Sequence, residues 1–236
     1  MQIIVWHTPC DVLLAAKESG VRTMGLLRQL LASGSNELSY LIADPITRRT
    51  ALIDPVAQNR ASIERLLRGL GLELDYVIAT HTHTSVWPEA QHYREMGARV
   101  AVHNASRVHE RDLPLRDGDR IFVGEEVLEV IHTPGHTACS VCLRCGDRVW
   151  VGDTLFVGGI ADVQGADVDL RAIYKSVLSC IYGMPDDMTL YPAHAVAGRR
   201  ISTVAQERDT NRDLPAGRSL DEFVETMQIP NNYVEE

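Results

Sequence analysis

The sequence predicts an α+β domain with a β-rich core and helices on its surface, on three observations. β-Branched runs bounded by turn residues recur along the chain, as in "LSYLIADPITRRTALIDPV". Other stretches, such as "NRASIERLLRGLGL", carry apolar residues at helical spacing. No low-complexity linker or composition break divides the 236 residues, which points to a single domain.

The elements follow in order. Residues 1–23 hold a short β-run, "QIIVW", and a helical stretch, "CDVLLAAKESG". They are expected to form an N-terminal extension packed on the core, with "IIVW" as an added edge strand or a homodimer contact. The domain proper is expected over residues 24–236. "LSYLIADPITRRTALIDPV" reads as a hairpin around the turn containing Pro45. In the next helix Ile63, Leu66, Leu67 and Leu70 share one face, and Gly71 stops it. "LDYVIAT" is a buried strand, "WPEAQHYREMGA" a helix with Pro88 in its first turn, and "RVAVH" a further strand. Then the period becomes two. "DRIFVGEEVLEVIH" folds over Gly124 and "SVCLRCGDRVWVGD" over Gly146-Asp147 as two hairpins. "VDLRAIYKSVLSCIYGM" is amphipathic and helical, "MTLYPAH" is a short strand, and "RISTVAQERDT" and "LDEFVETM" are closing helices.

Composition excludes several function classes. Hydrophobic residues at 45% and charged residues at 23% are those of a globular protein. A formal charge of −9 opposes binding to nucleic acid, whose phosphates are held by clustered Lys and Arg. No run approaches the roughly 20 apolar residues that span a bilayer, so no membrane partner is expected. The start lacks a basic region followed by an apolar segment, and the five cysteines do not look like a secreted disulfide framework. A cytoplasmic protein is expected.

Four histidines and one aspartate stand at the ends of predicted strands. They are His81 and His83 in "ATHTHTS", His136 in "HTPGHT", Asp153 in "VGDT" and His194 in "YPAH". Strand alternation places His81 and His83 on one face, with Thr80, Thr82 and Thr84 on the other. Imidazole nitrogens with a carboxylate suit zinc or iron. A lone histidine is more often an ordinary surface or core residue, and His7, His92, His103, His109 and His132 are read so. The cysteines of "CSVCLRC" are read as small buried hydrophobes, since a zinc knuckle needs a turn between close cysteines and a fourth ligand. Cys139, three residues after His136, is the one expected to approach the metal pocket. Trp87 either fills space beside that pocket or is a plain helix-start aromatic.

Taken in order, "THTH", "HTPGHT", "VGDTLF" and "YPAH" resemble the signature of the metallo-β-lactamase superfamily, with nearly the whole chain from residue 24 aligned to it. The resemblance implies a four-layer αββα sandwich with metal bound at one edge. Within the superfamily, "LLRQLL", "SYLIAD", "ALIDPV", "TLYPAHAVAGRRISTVAQERDTNRDL" and "LDEFVETM" are similar to the persulfide dioxygenases, with glyoxalase II as a relative. The superfamily pattern H-x-H-x-D-H runs here as His81, Thr82, His83, Thr84, Ser85, Val86. The missing Asp and His belong to the second metal site, so at most one metal is expected. The matching positions imply one Fe(2+) per chain on His81, His136 and Asp153, with His83 and His194 as catalytic groups around it. A small sulfur-containing substrate and O2 are the partners so implied.

Two rivals stand beside this reading. One is a mono-zinc hydrolase of the glyoxalase II or thioesterase type, with Zn(2+) and His83 completing the ligand set. The other is a non-catalytic relative that binds a ligand or a partner. The chain departs from the family where substrate is expected. The family's G-R-T-D-F-Q is here Gly159, Ile160, Ala161, Asp162, Val163, Gln164, and its Asp-Tyr after the last histidine is Ala195-Val196. Ile160, Asp162, Ala195, Val196 and Cys139 are therefore the expected substrate-wall residues. The pocket they line is expected to be more apolar than a glutathione site, because an Arg fork that pairs a carboxylate is gone.

Overall fold

The computed structural model describes residues 25–82, 86–161, 163 and 167–228. The expected extension over residues 1–23 lies outside the described residues, and so do His83 and Asp162.

Two six-stranded sheets form the centre. The first contains β1 (Leu26–Leu31), β2 (Leu38–Ala43), β3 (Arg49–Ile53), β4 (Glu73–Ile78), β5 (Arg99–His103) and β6 (Leu113–Leu115), hydrogen-bonded in that order. The second contains β7 (Arg120–Val123), β8 (Glu126–His132), β9 (Val141–Cys145), β10 (Arg148–Gly152), β11 (Thr189–Pro192) and β12 (Ser202–Thr203), again in chain order. Each sheet is mixed. β1–β3 pair antiparallel and β3–β6 parallel, while β10 and β11 are the parallel pair of the second sheet.

Among the described residues five α-helices cover the outer faces: α1 (Arg60–Leu70), α2 (Val86–Glu95), α3 (Leu170–Ser176), α4 (Val204–Thr210) and α5 (Leu220–Gln228). Alternation along the strands divides the apolar side chains into three layers. Tyr40, Ile42, Ala51, Ile53 and Ile78 of the first sheet meet Val123, Leu128, Val130, Leu143 and Trp150 of the second. The opposite face of the first sheet, with Leu41, Leu52, Val77 and Val100, buries Ile63 and Leu67 of α1 and Ala90 and Tyr93 of α2. The opposite face of the second sheet, with Cys142, Val149, Val151 and Leu190, buries Ile173, Val204, Phe223 and Met227. This is the αββα sandwich. Each fully buried Leu, Ile or Phe contributes roughly 1.5–3 kcal/mol, so the three layers carry most of the stability.

The structure differs from the expected elements in a few places. β1, β6 and β12 are additional strands, β12 taking Ser202–Thr203 from the start of the helix expected over "RISTVAQERDT"; β6 contains Pro114 and sits at a sheet edge, where a residue without an N–H breaks no ladder. The helix expected over "VDLRAIYKSVLSCIYGM" is α-helical only to Ser176 and continues as a π-type turn over Val177–Ile181. Its start is fixed by Asp169, whose carboxylate accepts the Ala172 N–H at 3.0 Å. Leu70, expected on the buried face of α1, is 43% exposed.

One polar contact ties the sheets together. Tyr40 of β2 is buried between them and its hydroxyl donates to the Pro192 carbonyl of β11 at 2.5 Å, while accepting from Gln29 Nε2 at 3.2 Å. Trp150 and Tyr191 stack beside it with ring centroids 5.6 Å apart. Tyr40→Phe keeps the packing but leaves the Pro192 carbonyl buried without its donor. We expect a loss of about 1–2 kcal/mol in urea unfolding, with metal content unchanged.

Candidate metal centre

The site grows from loops at one rim of the sandwich. β4 stops at Ile78, and Ala79, Thr80 and His81 turn off its end; β8 leads into the loop carrying His136. Asp153 directly follows β10, and His194 lies two residues beyond β11. The alternation expected for the histidine pair does not extend to His81, because the strand has already ended. Thr80 lies alongside His81 instead of opposite it, with its Oγ1 3.1 Å from His81 Nδ1.

Two close approaches bring these loops together. Gly135 has φ 145°, and a Cβ there would stand 2.5 Å from the backbone nitrogen of Ile173 in α3. The Gly135 carbonyl accepts the Asp169 N–H at 2.8 Å, and Ser176 donates to the Pro134 carbonyl at 2.8 Å, so α3 buttresses the His136 loop. Gly152 has φ 53°, and a Cβ there would meet Thr80 Oγ1 at 2.5 Å. The His81 loop therefore lies directly against the turn that presents Asp153. Between sheets, the Val141 N–H donates to the Thr80 carbonyl at 2.8 Å and the Leu38 N–H to the Ala193 carbonyl at 2.7 Å.

The result is a cluster of His81, His136 and Asp153, all buried, with ligand atoms within 4.8 Å of one another. His81 Nε2 and His136 Nε2 lie 3.7 and 3.5 Å from Asp153 Oδ2. Those gaps are longer than a hydrogen bond. They are close to the separation of about 3.0–3.5 Å between donors that share one ion at roughly 2.1 Å. The donor set fits a metal. The other carboxylate oxygen, Oδ1, is 3.0 Å from His194 Nδ1, and Phe156 packs against the His194 ring at 5.2 Å.

Electrostatics follows this geometry. Burial works to raise the Asp153 pKa, but the electrostatic pull of the neighbouring His81 and the His194 hydrogen bond outweigh it and hold the carboxyl at about 2. Burial works to lower His194, and its contact with Asp153 overrides that and raises it. Asp54, directly after β3, is pushed up to about 7 by burial, against the pull of two hydrogen bonds from Thr80. A cation on the neighbouring ligands favours its charged form.

The remaining expected residues are placed as follows. Val86, where the superfamily motif has its last histidine, lines a cleft of about 140 Å³ together with His81, Asp54, Glu37 and His194. Cys139 is buried in the loop before β9, with its sulfur 3.3 Å from the hydroxyls of Thr82 and Thr137. It lines a second cleft, of about 230 Å³, with Thr82, Ser106, Arg107 and Thr137. Ala195 is 8% exposed within the inter-sheet core, and Val196 pairs with Arg199 in a tight turn. Ile160 does not line either cleft; it is packed in the core under α3 and α5, with its N–H on Asp213 Oδ2 at 2.9 Å. Trp87 packs with α2 against the first sheet, as a plain helix-start aromatic. Cys142 and Cys145 are buried on opposite faces of β9.

Two residues escaped the sequence reading: Asp54 and Thr80. A signal existed for the first, since "LIDP" places an aspartate at a strand end just as "VGDT" does.

Gly135→Ala tests the buttress, because the clash is with backbone and no rotamer relieves it. We expect a loss of about 2–4 kcal/mol in thermal or urea unfolding, and weaker metal retention in competition with a chelator.

Comparison with known proteins agrees with the geometry. The family model of the metallo-beta-lactamase superfamily matches residues 85–197. Human persulfide dioxygenase ETHE1 is 33% identical over 206 residues, covering 86% of this chain and 80% of that protein. A hydroxyacylglutathione hydrolase of Polaromonas sp. is 32% identical over 179 residues, covering 72% and 67%. The crystal structure of ETHE1 from Myxococcus xanthus superposes with a TM-score of 0.82 at 32% identity, covering 87% and 91%. The chain belongs to the metallo-β-lactamase superfamily, and within it to the relatives of the persulfide dioxygenases.

Proposed function

We propose that this protein is a single-metal, Fe(2+)-dependent oxygenase acting on a small persulfide or thiol. The observation that carries the reading is the convergence of two imidazole Nε2 atoms and one carboxylate oxygen, with apolar Val86 beside them. Two histidines and one carboxylate on one face leave positions open for other ligands. Fe(2+) held there would supply the redox chemistry that joins a thiolate to O2.

The chain's own residues do the rest. His81, His136 and Asp153 bind the ion, and their burial keeps bulk water from competing. His194 holds Asp153 Oδ1 and so directs Oδ2 toward the centre. His83 and Asp162 keep the supporting and substrate roles that the resemblance gives them. Similarity to the human and Myxococcus xanthus proteins supports oxygen chemistry on sulfur. We further propose a carrier smaller or less charged than glutathione, since an isoleucine packed in the core stands where the family has its arginine.

Similarity to the hydroxyacylglutathione hydrolase favours a second reading, a mono-zinc hydrolase with His83 as a further ligand. Metal analysis of protein purified without oxygen separates the two. One iron per chain is expected, with oxygen uptake on cysteine persulfide that a chelator abolishes and Fe(2+), not Zn(2+), restores. One zinc per chain with thioester hydrolysis and no oxygen uptake would establish the hydrolase instead. Turnover of glutathione persulfide should be about ten- to a hundredfold less efficient, matching one lost charge-assisted hydrogen bond of about 1.5–3 kcal/mol.

Stoichiometry provides an independent check. Ser85→Asp combined with Val86→His restores the superfamily motif, and bound metal should rise from one toward two per chain. An unmodified protein that retains two ions after dialysis would contradict the single-metal reading.

A further inference from the structure

Asp54 is buried, follows β3 directly and has φ 48°, a left-handed backbone that a non-glycine residue adopts only when its surroundings hold it there. Its backbone N–H donates to the Ile78 carbonyl at 3.1 Å, which fixes it beside the end of β4. Both carboxylate oxygens then face Thr80. Oδ1 accepts the Thr80 N–H at 2.8 Å, and Oδ2 accepts the Thr80 hydroxyl at 2.8 Å. The same Thr80 Oγ1 lies 3.1 Å from His81 Nδ1.

We propose that Asp54 and Thr80 form a positioning relay that sets the tautomer and direction of His81 for metal binding. A hydroxyl has one proton, and a carboxylate only accepts. With that proton donated to Asp54, the lone pairs of Thr80 Oγ1 face His81, so Nδ1 carries the ring proton and donates. Nε2 is then left with its lone pair, and Nε2 is the atom that faces Asp153 Oδ2. Thr80 cannot swing away, because Gly152 brings the backbone before Asp153 against its hydroxyl. Asp54 touches neither substrate nor ion in this scheme; it acts through Thr80. The relay rests on the metal-centre reading, but not on the choice of iron or of substrate.

The chemistry makes unequal demands on substitutions. Thr80→Ser keeps the hydroxyl, and Thr80→Val keeps the shape without it. Asp54→Asn reverses the relay: with its amide oxygen on the Thr80 N–H, its NH2 must donate to Thr80 Oγ1. The hydroxyl proton then turns toward His81 Nδ1 and favours the tautomer whose Nε2 is protonated and cannot bind metal.

The test uses the full chain loaded with cobalt(II), read by its visible spectrum and by competition with a chelator. Thr80→Val and Asp54→Asn should each weaken cobalt binding by about 10–100-fold and shift the spectrum, whereas Thr80→Ser stays within about threefold of the parent. The double variant should bind no more weakly than the worse single one, because both act through one path. Long-range proton–nitrogen NMR of the metal-free parent protein at pH 8 requires no variant, and should find the His81 proton on Nδ1. Wild-type affinity and spectrum in both Thr80→Val and Asp54→Asn, or a proton on Nε2, would overturn the relay. A parent protein that binds no cobalt would overturn the metal-centre reading instead, and the NMR measurement would still decide the relay.

Discussion

A carboxylate buried at the rim of two packed sheets cannot keep its charge without partners, and Asp153 organises this molecule through that requirement. Its two oxygens divide the work. Oδ1 takes the contact with His194, and Oδ2 faces the two imidazoles of the candidate centre. Three histidines from three separate loops have to reach one side chain, so the ends of β4, β8, β10 and β11 are brought to one place. The double sheet makes this feasible, since strand ends remote in sequence share a rim.

Holding those loops is a backbone problem before it is a chemical one. The first sheet is tied to the second through Leu38 and Ala193, through Thr80 and Val141, and through the Tyr40 hydroxyl on Pro192. At this rim Gly135 packs against α3 and Gly152 against Thr80, and neither contact leaves room for a Cβ. The helices serve the same end. α3 covers core on the second sheet and also presses on the loop that carries His136. Packing and function are therefore the same set of contacts at this rim.

The cluster also bears on how many ions this rim can hold. Val86 in the smaller cleft presents hydrocarbon where a second ion's ligand stands in binuclear relatives, and an ion is not held by hydrocarbon. The larger cleft is lined by the hydroxyls of Thr82 and Thr137 and the thiol of Cys139, together with the charged side chains of Arg107 and Asp167.

What the sequence by itself determined is the chemistry on offer and the places where it could be displayed. His81, His136, Asp153 and His194 were legible because ligand-type residues next to strand ends, in a fixed order, have few other reasons to be there. α1 and the hairpins over Gly124 and Gly146 were legible because burial on one face writes its period into the chain. Tertiary structure decided the rest. Strand alternation did not govern Thr80, since β4 ends at Ile78 and the loop turns the hydroxyl toward His81. Ile160 turned inward, because the core beneath α3 and α5 had room for an apolar side chain there. Asp54 meets Thr80 across 26 residues, a contact that exists only once β3 and β4 lie side by side. Residue type records what a group can donate or accept; which partner it meets is settled by the packing of the sheets.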